Sequence, residues 1–180
     1  VWSAGCACGE EPYSLSILWQ EFTDNVQSRP KLDILATDIN QNVLDRARKG
    51  IYSKTSLREV GPEIKKTWFK RISTEPQYQI ALHAGDLIHW QRHDLLRPLK
   101  KERFHIVFLR NSLLTYHQGK QRDNAIKYAT DQILQGGYLV VGAHEILPES
   151  FNNVFNPHPC CPLIFRKRPG SSCVRIYMHS

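Results

Sequence analysis

Apolar and polar positions alternate along the chain in a way that divides it into repeating strand and helix units. Val1–Tyr13, VWSAGCACGEEPY, opens apolar, breaks at Gly5, and passes through small residues to Glu10, Glu11 and Pro12. It reads as a strand, a glycine-rich turn and a helix N-terminus, where a proline and acidic side chains are both favourable. From about Pro12 to Val26, Leu15, Leu18, Trp19 and Phe22 keep helical spacing and form the expected inward stripe. Leu32–Ala36 is a short apolar strand followed at once by Thr37-Asp38-Ile39-Asn40. Asn40 suits the N-cap of a helix over Asn40–Lys49, with Val43, Leu44 and Ala47 inward and Gly50 as its stop. A further helical piece is expected around Pro62–Lys70. Tyr78, Ile80 and Leu82 alternate, as do Ile88 and Trp90, across Ala84-Gly85-Asp86, which predicts a β-hairpin.

The second half continues the pattern. Phe104–Leu109 is the strongest strand and ends in Arg110-Asn111. Gln118–Gln135 predicts a helix with Ala125, Ile126, Ala129 and Ile133 inward, capped by Gly136-Gly137, and Tyr138–Gly142 predicts the next strand. Phe155–Pro162 reads as a loop, and Leu163–Phe165 and Val174–Tyr177 as two closing antiparallel strands. Strands alternating with helices imply an α/β fold with a mostly parallel sheet covered on both faces. Residues 50–90 interrupt the repeat and are expected to form a small inserted β-subdomain.

Composition narrows the class. The 180 residues suffice for one domain, and 41% hydrophobic with 23% charged residues is an ordinary globular composition that does not suggest disorder. The net charge of +7 permits an acidic partner, but the basic residues are scattered and no aromatic–basic platform accompanies them, so no nucleic-acid partner is expected. No apolar run reaches the length of a membrane span, so no membrane insertion is expected. The five cysteines fall as C-x-C, C-C and a single Cys173, without zinc-ligand spacing. Reduced thiols, a cytoplasmic setting and no metal follow as expectations. The chain begins without Met and inside a strand, as a piece of a longer protein would.

The candidate chemistry lies at the strand ends, where open α/β sheets bind ligands. The turn has the spacing G-x-x-x-G, with no lysine after it and two carboxylates where a pyrophosphate would lie. Those carboxylates repel phosphate and attract an amine or a positive sulfur, and S-adenosylmethionine carries both. An acid at the tip of the second strand, Asp38, is placed to accept the two hydroxyls of a ribose. Asp94 followed by Leu95 offers a polar and then an apolar contact for an adenine edge. Arg110 and Asn111 border the same crevice.

These motifs resemble one family, the CheR-type chemotaxis receptor methyltransferases. The matching pieces are WSAGCACGEEPYS, LATDIN with VLDRARKGIY after it, HDLL, VFLRNSLLTY and LQGGYLVVGAHE, in the family's order, from Val1 to about Leu147. The resemblance implies a Rossmann-like methyltransferase catalytic domain that uses S-adenosylmethionine to esterify a protein glutamate, acting as a monomer on a receptor or another protein. It implies cofactor contacts from Gly5, Ala7, Glu11, Asp38, Asp94, Leu95, Arg110 and Asn111, and catalytic roles for Arg110 and Tyr116. The family's helical N-terminal domain is expected to be absent. Several positions depart from the family pattern. Thr115 takes the place of a tyrosine and Tyr116 stands one position along; Cys8 replaces a common threonine; Gly142-Ala143-His144-Glu145 replaces Gly-His-Ser-Glu. They keep two alternatives open: a different methyl acceptor, or a non-catalytic domain that binds the cofactor or a partner.

Overall fold

The computed structural model describes residues 1–99, 102–110 and 119–170. The chain forms two compact units, one from Cys6 to Arg92 and the other from Val1–Gly5 together with the described residues from His93 onward.

The Cys6–Arg92 unit is built on two parallel strands, β2 (Ile34–Asp38) and β6 (Ile88–Arg92), in register from Ile34 opposite Ile88 to Asp38 opposite Arg92. Ile34, Leu35, Ala36 and Thr37 are all buried, as a parallel strand covered on both faces requires. Helix α1 (Glu10–Thr23) precedes β2, and α2 (Gln41–Lys49) follows it. A separate antiparallel sheet places β5 (Gln77–Ile80) between β3 (Ile51–Ser53) and β4 (Phe69–Arg71). Helix α3 (Pro62–Trp68) runs directly into β4. This small sheet falls within residues 50–90, but the compact unit that contains it is longer than that span.

Two expectations fail in this unit. Tyr78–Ile80 and Ile88–Trp90 do not pair as a hairpin. The first belongs to β5 in the small sheet, the second to β6 beside β2, and a 3-10 turn over Leu82–Gly85 separates them. Alternation identifies a strand but not its partner, and Leu82 is 84% exposed. In α1 the buried face is Pro12, Tyr13, Ser16, Ile17 and Thr23, whereas Leu18 and Phe22 are 63% and 82% exposed. The rotation is possible because the buried hydroxyls are satisfied: Ser16 donates to the Ala84 carbonyl at 2.7 Å and Thr23 to the Trp19 carbonyl at 2.7 Å.

In the other unit, β1 (Trp2–Ala4), β7 (Phe104–Leu109) and β8 (Ile133–Val141) run parallel. Strand β10 (Cys161–Lys167) is antiparallel to β8, and β9 (Phe155–His158) antiparallel to β10. Helix α4 (Gly119–Asp131) buries Ala125, Ile126, Ala129 and Thr130. The helix stops earlier than expected, and Ile133 opens a strand. Gly136-Gly137 lies inside β8 rather than capping a helix. A Cβ on Gly137 would sit 2.7 Å from the His105 carbonyl, where the β7–β8 register shifts, so the strand needs glycine there for close backbone approach. Phe155–Pro162 is likewise not a loop but β9 and the start of β10. The strand expected at Val174–Tyr177 lies outside the described residues. With parallel strands flanked by helices and an antiparallel edge, the fold is a Rossmann-like α/β arrangement.

Candidate cofactor site

The loop from Gly5 to Gly9 is shaped by backbone sign. Gly5 and Gly9 have φ of 82° and 88°, and Ala7 between them has φ 45°, a left-handed conformation that costs a non-glycine residue about 1 kcal/mol or more. Hydrogen bonds hold that conformation. Cys6 N–H donates to the Thr37 carbonyl at 2.8 Å, Ala7 N–H to Asp38 Oδ2 at 3.0 Å, and Gly9 N–H to the Cys6 carbonyl at 2.9 Å. The Tyr52 hydroxyl donates to the Cys8 carbonyl at 3.0 Å. At Gly9 there is no room for a side chain: a Cβ would lie 2.8 Å from Trp90 Cη2 and 3.0 Å from the Ala47 Cβ. Glycine therefore serves two needs at this position, the positive φ and the close packing.

Helix α1 starts on Gly9 without a side-chain cap, and Glu10 and Glu11 occupy its first turn. Glu10 is exposed and Glu11 half-buried. Their charge sits where the helix dipole favours it. Asp38 stands at the end of β2. Its Oδ1 accepts from Asn40 N–H at 2.9 Å and its Oδ2 from Ala7 N–H at 3.0 Å. A carboxylate has two lone pairs on each oxygen, so each oxygen keeps one acceptor position beyond these bonds. Asn40 caps α2 through its own side chain, which accepts from Asn42 N–H at 3.0 Å. Of the two polar residues at this tip, Asn40 serves the helix and Asp38 the loop.

Cys6 of the loop is not a nucleophile in waiting. Burial, reinforced by the negative charge of Asp38, pushes the Cys6 thiol up to about 12, which keeps it protonated and inert. Cys8 is half-buried, and both are free thiols. Among the described residues, no three His, Cys, Asp or Glu side chains are grouped to hold a metal ion. No helix among them is long and apolar enough to cross a membrane.

The remaining candidates belong to the other unit. Gly5 follows the end of β1. Asp94 shapes its own turn: Oδ1 accepts from Leu96 N–H at 2.9 Å and its carbonyl from Arg97 N–H at 2.9 Å. Leu95 is half-buried. Arg110 is exposed at the first position after β7. Asn111, Thr115 and Tyr116 lie outside the described residues. Direct contact thus joins Ala7 to Asp38, with Glu11 in the same unit.

The sequence pattern passed over Tyr52, Trp90 and Thr37, which shape the loop from outside it. A strand of three residues such as β3 is too short for a readable period, although its burial pattern sets Tyr52 inward between exposed Ile51 and Ser53.

The donor set suits S-adenosylmethionine. Asp38 keeps two acceptor positions for a diol, and the loop ends in two carboxylates rather than in a lysine. The matching family model, described as the SAM binding domain of CheR methyltransferase, spans residues 1–161. The chain belongs to the CheR methyltransferase family. Three curated relatives are chemotaxis protein methyltransferases. That of Listeria innocua is 34% identical over 145 residues, 81% of this chain and 53% of the relative. That of Borreliella burgdorferi is 28% identical over 150 residues, 82% and 52%. That of Vibrio parahaemolyticus is 28% identical over 170 residues, 93% and 61%. This CheR-family chain thus spans about half the length of the first two relatives. Among solved structures, the CcbJ methyltransferase from Streptomyces caelestis is similar at TM-score 0.48 and 15% identity, over 78% of this chain and 41% of that one, a likeness too slight to add to the assignment. The cofactor of the CheR domain is S-adenosylmethionine.

Proposed function

We propose that this CheR-family protein transfers the methyl group of S-adenosylmethionine to the carboxylate of a protein glutamate, with a chemotaxis receptor as the acceptor. The single observation that carries the cofactor half is Asp38, fixed by two backbone N–H groups at 2.9 and 3.0 Å and still able to accept two hydroxyl hydrogens. The bound cofactor supplies an electrophilic methyl group on a cationic sulfur. Asp38 holds the ribose, and Gly5, Ala7 and Glu11 hold the amino-acid end. Asp94, with Leu95, meets the adenine, and Asn111 borders the transfer site beside Arg110. A glutamate acceptor is already ionised at neutral pH, so no residue has to remove a proton. What the protein adds is alignment and desolvation of the reacting charges.

Arg110 supports the acceptor half of the reading. It is an exposed guanidinium directly after a strand end, suited to a bidentate grip on a carboxylate carried by a large partner. Tyr116 would flank the same acceptor. The free thiols fit a cytoplasmic protein.

The test is methyl transfer from labelled S-adenosylmethionine to glutamate-containing receptor peptides, with glutamine peptides as controls. Arg110→Ala should lower transfer about a hundredfold, well beyond the loss of S-adenosylhomocysteine affinity that follows from its cofactor contact. Unchanged transfer would remove Arg110 from the reaction. Transfer to small carboxylic acids in place of peptides would change the acceptor class.

A further inference from the structure

The loop residues Cys6, Ala7 and Gly9 are tied by bonds that β2 and the loop itself supply. Cys8 is different: its carbonyl is held by a side chain from the small antiparallel sheet, the Tyr52 hydroxyl of β3 at 3.0 Å. The ring of Tyr52 is itself fixed. It stands edge-on to Tyr13 with centroids 6.1 Å apart and edge-on to Phe69 of β4 at 6.4 Å. The residue is 6% exposed. Its oxygen would be 3.3 Å from a Cβ on Gly9, so it stands close beside the residue from which α1 starts.

We infer that Tyr52 is a positioning residue for the cofactor: from the small sheet it fixes the Cys8–Gly9 peptide, and so the direction in which the loop and the first turn of α1 face the ligand. The inference rests on the loop being the cofactor loop. The chemistry allows one direction of bond only, because a carbonyl accepts and the phenol must donate. Burial raises the phenol's ionisation well above its ordinary range, so the donor persists at every working pH. A neighbouring bond supplies the control. The Tyr13 hydroxyl donates to the Ala47 carbonyl at 3.1 Å in the same unit; the residue is equally buried, and its bond to the loop, from its backbone N–H to the Gly9 carbonyl at 3.1 Å, is one that Tyr13→Phe leaves intact.

Tyr52→Phe keeps the ring and deletes the donor; Tyr13→Phe does the same at the control site. Three readouts on the full chain separate the roles: melting temperature, amide hydrogen exchange across Cys6–Gly9, and S-adenosylhomocysteine affinity by calorimetry. Tyr52→Phe should speed exchange in the loop and weaken binding about five- to tenfold. Tyr13→Phe should lower the melting temperature by a similar amount with loop exchange and affinity unchanged. If both variants lose stability alike and Tyr52→Phe leaves loop exchange and affinity at wild-type values, the positioning role is overturned and the cofactor reading stands. If Tyr52→Phe speeds loop exchange but the wild-type chain itself binds no S-adenosylhomocysteine, the tether is real and the cofactor reading fails.

Discussion

Two strand-end turns of this protein, Cys6–Gly9 with Asp38–Asn40 at the tip of β2 and His93–Arg97 after β6, solve the same problem differently. In the first, backbone groups from separate segments satisfy one another: Thr37 takes the Cys6 amide, Asp38 takes Ala7 and Asn40, and Tyr52 reaches Cys8. In the second, Asp94 bonds only to its own turn, at Leu96 and Arg97. Beside it the buried His93 Nε2 has no hydrogen-bond partner among the described residues. The first turn is a cradle held by the protein's own hydrogen bonds from β2 and β3. The second is held locally and leaves one polar atom unsatisfied. Preorganisation lowers the ordering cost of binding, which is why the cofactor reading leans on the first turn and not on the second.

Breaking the cradle should have the largest effect. Gly9→Ala forces a left-handed backbone on alanine and drives its Cβ to 2.8 Å from Trp90. Urea unfolding should show a loss of about 2–4 kcal/mol. A loss under about 0.5 kcal/mol would mean that the loop relaxes freely and is not preorganised.

The second turn predicts a pH dependence. Burial lowers the ionisation of His93 from its ordinary value of 6.5. The folded state then prefers the neutral ring, so the stabilisation is complete above pH 6.5 and is lost as pH falls through that value toward the folded one. Stability measured against pH should fall less steeply below 6.5 in His93→Leu than in the wild type; parallel curves would contradict the assignment. The smallest effect belongs to a site outside both turns. Phe22 is 82% exposed, and Phe22→Ser should change stability by no more than about 0.5 kcal/mol.

The same contrast explains what the sequence made legible. Helix α2 could be read residue by residue, because Asn40 caps it through its own side chain and Gly50 ends it at φ 59°. Those are local bonds. The strand Phe104–Leu109 and the strand-end position of Asp38 were legible for a similar reason, since a continuous apolar run followed by a polar residue marks a strand end. The buried face of α1 was not. Leu15, Leu18, Trp19 and Phe22 share their spacing with Tyr13, Ser16 and Ile17, and the choice between the two stripes depends on Ala84 accepting from Ser16, a contact made 68 residues away. Gly136-Gly137 misled for the opposite reason: paired glycines after an apolar run look the same whether they end a helix or let β7 approach β8. Tyr52 closes the matching piece VLDRARKGIY, but its role was not legible there, because what it holds is a backbone carbonyl, which every residue has.

Asp38 and the loop it braces are the proposed S-adenosylmethionine site. The most direct measurement is calorimetric titration of S-adenosylhomocysteine into the wild-type chain and into Asp38→Ala, with melting curves to show that both are folded. The account predicts binding in the micromolar range for the wild type and a loss of about a hundredfold or more in the variant. Equal affinity in two folded proteins would contradict it.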